Sequence, residues 1–133
     1  MPVTYQIDKA NRLIHTECTG AVTLAEVVDH FRQLEADPEC PPYVDVLLDV
    51  TQEVTIPSSD ELRTVTLAIA RVRRRVQFGF CAIVASTDAL FGMMRMFEVF
   101  TEDYFRESRA FRTLEEAEAW LVAKREGSVA DAS

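Results

Sequence analysis

The chain of 133 residues carries 22 acidic against 14 basic side chains, a formal charge of −8, and is 48% hydrophobic. That length can bury a sizeable core without disulfides or metals, and the charge excludes non-specific attraction to nucleic acid or to an anionic membrane surface. No apolar run approaches the ~20 residues of a membrane span, so no membrane insertion is expected.

Cys18, Cys40 and Cys81 are odd in number and lack CxxC spacing, which argues for reduced thiols rather than a disulfide framework or a zinc knuckle. The first residues, Met1 to Tyr5, pass straight into a strand pattern without a basic and apolar leader, and the expected location is cytoplasmic.

In chain order, Val3, Tyr5 and Ile7 alternate with polar residues, Asp8 to Asn11 supplies turn chemistry, and Leu13 to Thr19 resumes an extended pattern with Ile14, Thr16 and Cys18 on one side. A β-hairpin follows from this. Leu24, Val27, Val28, Phe31 and Leu34 then form a helical stripe that the segment Asp37-Pro38-Glu39-Cys40-Pro41-Pro42 ends. Val44 to Val50 is nearly continuous in apolar residues, as in a strand covered on both faces, with Asp45 and Asp49 on a shared side. After a loop over 51–57, Leu62, Val65, Ile69, Val72 and Val76 mark a second helix, and Phe78 to Ala85 a further core strand. Ser86 to Tyr104 reads as a third helix, Ser108 to Arg112 as an edge strand, and Leu114 to Arg125 as a last helix anchored by Trp120 and Leu121. Residues 126–133 are expected to be a frayed tail.

Thr23 with Glu26, Ser58 with Glu61 and Thr113 with Glu116 each place a hydroxyl residue three positions before an acid, the signature of a helix start. These caps agree with the hydrophobic stripes. The expectation is one α/β domain over residues 1–125, with a mixed sheet of about five strands, element order β-β-α-β-α-β-α-β-α, and helices packed against the sheet.

No complete catalytic or metal-binding constellation appears. His15 and His30 have no acid, cysteine or histidine at a ligand interval along the chain, and His30, beside Asp29, is expected on the outer side of the first helix. There is no GxSxG elbow, Cys81 lies mid-strand, and Gly20, Gly79, Gly92 and Gly127 are too scattered for a phosphate loop. Asp49 ends an interior strand and so is similar in place to the phosphoacceptor aspartate of response-regulator receivers, but receivers need an acidic pair after their first strand and a lysine near the site, whereas this chain has no such pair and only Lys9 and Lys124. Asp45 and Asp49 are expected to cap or pair locally. The basic run Arg71, Arg73, Arg74 and Arg75 falls where cations complement a helix carboxyl end. No enzyme activity, catalytic residue, cofactor or metal is expected.

The third helix is unusual. Leu90, Met93, Met94, Phe97, Phe100 and Tyr104 share an inward face, while Phe91, Met96 and Val99 fall on its other sides. Phe91, Met93, Met94, Met96, Phe97, Val99 and Phe100 therefore form a candidate surface for self-association as a homodimer, for a protein partner, or for a lipophilic ligand pocket, unless other elements of the chain cover them.

From Tyr5-Gln6-Ile7-Asp8 through Val44 to Val50, then Phe91-Gly92-Met93-Met94-Arg95-Met96-Phe97 and the closing Phe111 to Ala117, the chain resembles the SpoIIAA-like branch of the STAS-domain proteins over about residues 3–125. The resemblance implies a mixed sheet with packed helices in a non-catalytic regulatory or protein-binding domain. In the anti-sigma-factor antagonists of that family, a serine at the start of the helix after the interior strand is phosphorylated within an Asp-Ser-x-Gly sequence. Here that place reads Pro57-Ser58-Ser59-Asp60, making Ser58 and Ser59 the candidate phosphorylation sites, although the aspartate and glycine are absent. A phosphate there would meet free N–H groups and the helix dipole, opposed by Asp60 and Glu61. The broader group is similar in fold to the CRAL-TRIO lipid-transfer domains, which implies a small lipophilic ligand as the alternative function.

Overall fold

A computed structural model describes residues 3–20, 23–50 and 58–132, with side chains as far as residue 127; the loop expected at 51–57 lies outside them. The elements are β1 (Val3–Asp8), β2 (Leu13–Cys18), α1 (Leu24–Ala36), β3 (Tyr43–Asp49), α2 (Ser59–Val72), β4 (Gln77–Val84), α3 (Asp88–Phe100), β5 (Glu107–Phe111) and α4 (Leu114–Ala132), in the expected order. They form an α/β structure around one five-stranded mixed sheet of order β1-β2-β3-β4-β5. β1 and β2 pair antiparallel across the expected turn, where Asn11 donates from its backbone N–H and side-chain amide to the Asp8 carboxylate at 3.1 and 2.7 Å. The other pairings are parallel.

The three parallel crossovers all step one strand in the same direction, and right-handed connections then place α1, α2 and α3 on one face. α4, which follows the last strand, covers the other face over β3, β4 and β5. Strand alternation sorts the side chains between the two. Val44, Val46, Leu48 and Val50 join the core beneath α1–α3, and Leu47 joins Phe80, Ala82, Val84, Ala117 and Leu121 beneath α4. Two-sided burial is why β3 reads as a continuous apolar run.

A bulge in β4 corrects the phase of this sorting. Val44 pairs with Phe78 and Val46 with Cys81, so Gly79 and Phe80 together stand opposite Asp45. Phe78 consequently enters the α1–α3 core while Phe80 enters the α4 core. Only glycine fits at the bulge, because a Cβ on Gly79 would overlap the Asp45 carboxylate and the Tyr43 ring, whose Cζ would lie 2.7 Å away. Asp45 is buried, accepts the Phe80 N–H at 2.8 Å and meets Arg125 Nε at 3.3 Å. Arg125 also donates to the Asn11 carbonyl. Asp45 is thus a long-range clamp between strand, bulge and α4, not the local cap expected from sequence. Burial raises its carboxyl above the usual range, against the Phe80 hydrogen bond and the nearby arginines.

All three hydroxyl–acid pairs form caps. Thr23–Glu26 and Ser58–Glu61 close complete capping boxes, and Thr113 accepts from the Glu116 N–H at 3.2 Å. α3 is shorter than expected at both ends, capped by Thr87 and ending before the buried Thr101, whose hydroxyl bonds back to Phe97 O at 2.8 Å, so Tyr104 lies beyond it. α4 instead continues past Arg125 to Ala132, where a tail was expected; its one glycine costs only about 1 kcal/mol in a helix, and alanines follow. Arg75 does bond helix carbonyls, but those of α1, donating to Leu34 O at 3.4 Å, to Glu35 O and to Asp37 O at 3.0 Å. The cation therefore caps a neighbouring helix rather than its own.

Candidate functional site

Between the sheet and α1–α3 lies a cavity of about 150 Å³. Ile14, Val46 and Leu48 form its floor, Val27 and Leu34 of α1 and Val65 and Ile69 of α2 its roof, and Leu90, Met94 and Phe97 of α3 one side. Several of these positions are valines, whose short side chains fill less of the interlayer gap than leucine or phenylalanine would. Thr23 and Glu61, which also line the cavity, are exposed and half-buried, so the ends of α1 and α2 nearest them bring the cavity close to the surface.

Of the seven α3 residues named as the candidate surface, Met94 and Phe97 line this cavity, as does Leu90 of the inward face, and all three are buried. Phe91, Met93 and Phe100 are half-buried and pack on the same core. α2 and β5 cover much of the helix, and two cations lie over its rings, Arg112 4.3 Å from the Phe91 centroid and Arg63 5.4 Å from Phe100. Met96 at 37% and Val99 at 62% remain exposed.

His30 overturns the sequence expectation. It lines the cavity with 8% of its surface exposed, its ring 5.1 Å from the centroids of both Tyr5 and Phe31. Helical spacing carries the reason: Val27, His30, Phe31 and Leu34 share one face by three- and four-residue intervals, whereas the neighbour Asp29 says nothing about side. Burial lowers the imidazole to about 4, so it is neutral near pH 7. Its Nδ1 has no hydrogen-bond partner among the described residues. The Tyr5 hydroxyl is engaged elsewhere, donating to Asp37 at 2.8 Å, with burial and that carboxylate pushing it up to about 12.

Ser58 and Ser59 stand at the start of α2. Ser58 is exposed and its hydroxyl accepts the Glu61 N–H at 3.1 Å, while Glu61 Oε1 accepts the Ser58 N–H at 3.1 Å. The hydroxyl thus already serves as the cap. The three cysteines are free and buried, and burial pushes Cys18 to about 11 and Cys81 higher still, which makes them poor nucleophiles.

On the opposite face, β2 and β3 bring His15, Glu17 and Asp49 together with one ligand atom from each within 4.8 Å of the others. His15 and Glu17 alternate onto one strand face, and the parallel register sets Asp49 beside Glu17. One nitrogen and two carboxylates are donors that a divalent cation accepts. The i, i+2 interval on β2 puts His15 beside Glu17, but Asp49 joins them only through the β2–β3 register.

No family model matches this chain, and no curated protein matches it.

Proposed function

We propose that this is a non-catalytic binding domain that carries or senses a small lipophilic molecule held beneath α1, α2 and α3. The observation that carries this reading is the cavity of about 150 Å³ with predominantly aliphatic, methionine and phenylalanine walls. A cavity of this scale lined by such side chains stays dry and takes up benzene-sized molecules. Dispersion contacts that the empty walls lack are then restored by the guest.

Thermal unfolding and native mass spectrometry with small aromatic and aliphatic hydrocarbons test the proposal. At ten times its Kd, a guest that binds only the folded chain adds about 1.4 kcal/mol. Unchanged melting and no added mass with every guest at millimolar concentration would contradict it.

A regulatory, STAS-type role through self-association is the second reading, favoured by the exposed Met96 and Val99 on α3 and Leu67 on α2. Light scattering across concentration tests it. A mass doubling that Val99→Lys abolishes supports it, and a constant monomer mass removes it.

A further inference from the structure

His30 supplies the cavity with something a purely hydrocarbon guest cannot use. Three buried side-chain atoms lack hydrogen-bond partners among the described residues: His15 Nε2, Trp120 Nε1 and His30 Nδ1. The first two belong to the opposite sheet face, and of the three residues only His30 lines the cavity; its Nδ1 is itself covered, so the ring has to turn to present that nitrogen to a guest. Thr23 and Glu61, also in its wall, already have partners in the two capping boxes. A buried polar atom without a partner costs about 1–3 kcal/mol, so a guest that satisfies it gains over one that does not.

The required group follows from the chemistry of the imidazole. A neutral ring carries a proton on one nitrogen and accepts at the other. A hydroxyl both donates and accepts, so it complements Nδ1 in either tautomer. A carboxylate or ammonium would bring an unpaired charge among apolar side chains, at a cost far above one hydrogen bond. Thr16, whose hydroxyl is buried, also lines the cavity, so one polar group on the guest is the minimum.

We propose that the cavity takes a neutral, largely apolar molecule bearing at least one hydroxyl, of about the size of phenol, with that hydroxyl bonded to His30 Nδ1. This rests on the cavity reading above and names the class of ligand. His30 is then the residue that selects among guests, and the aliphatic walls supply most of the affinity.

Phenol and benzene are the probes, titrated into the wild-type chain and into His30→Phe, with the wild type ¹⁵N-labelled at histidine. The expected result has two parts. Phenol moves the His30 Nδ1 resonance and benzene leaves it nearly in place, and the preference for phenol over benzene falls about tenfold in His30→Phe. Binding of both probes with an unmoved Nδ1 and an unchanged preference would overturn the role of His30 while leaving the cavity reading intact, as would a resident water that already satisfies Nδ1. Failure of both probes to bind at millimolar concentration would overturn the cavity reading itself. If His30→Phe does not fold, the nitrogen shift in the wild type decides alone.

Discussion

The two faces of the sheet are built from the same strands yet end differently. Beneath α4, Phe80, Phe111 and Trp120 meet ring to ring, with centroids 6.1 and 5.6 Å apart across Trp120, around small Ala82 and Ala117. Beneath α1–α3, valines and leucines from three helices leave a cavity with one imidazole in its wall. One long helix carrying a tryptophan can be fitted closely to a sheet; three helices whose positions are set by separate crossovers leave a gap that branched side chains do not fill. Interior space in this fold therefore collects on the side with more helices.

The largest expected effect sharpens the contrast through pH. His30 is lowered to about 4 from an unfolded value of 6.5, so the stability it leaves intact at neutral pH declines as pH falls below 6.5, where the unfolded chain takes up the proton first. The loss is complete below about 4 and amounts to about 3 kcal/mol. Asp8 and Asp37 are lowered carboxylates whose losses come in stronger acid, and Asp45 is raised, so its contribution runs the other way. Urea unfolding of wild type and His30→Phe at pH 7 and pH 4.5 cancels these common terms. The wild type should lose more stability on acidification than the variant.

Breaking the boundary between the two cores comes next. Gly79→Ala would drive a methyl into the Asp45 carboxylate and disturb the bulge that sends Phe78 and Phe80 to opposite sides, an overpacking cost of about 2–3 kcal/mol by chemical denaturation.

A matched pair of enlargements then compares the faces directly. Ala82→Val, in the filled α4 core, should destabilise by about 2 kcal/mol, while Val65→Leu, in the cavity wall, should stabilise by about 1 kcal/mol. Equal losses from both would show the two cores to be alike. Ser58→Ala removes the α2 cap and should cost about 1 kcal/mol wherever the guest binds. Smallest of all is Val99→Lys, an exposed position whose substitution should stay within about 0.5 kcal/mol in a monomer.

What could be read from the chain was local. Element order, the hairpin turn at Asp8–Asn11 and the caps at Thr23, Ser58 and Thr113 each depend on residues a few positions apart, and all appear in the structure. What escaped reading depends on register or on partners far along the chain. The function of Gly79 requires the β3–β4 register, and that of Asp45 requires Arg125 from the last helix. The cluster of His15, Glu17 and Asp49 exists only once β2 and β3 lie parallel. His30 is the exception, because helical spacing alone placed it beside Phe31 and Leu34. The apolar surround of α3 was legible, but its explanation was split: Met94 and Phe97 face the cavity, Phe91 and Phe100 lie beneath arginines, and only Met96 and Val99 are left to solvent.

The most direct test of the difference between the faces is a benzene titration followed by methyl NMR. Shifts confined to methyls of the cavity wall, those of Ile14, Ile69 and Met94 among them, with those of Leu47 and Leu121 unmoved, are the predicted result. Methyls that stay in place on both faces at saturating benzene, or that move equally on both, would contradict the account.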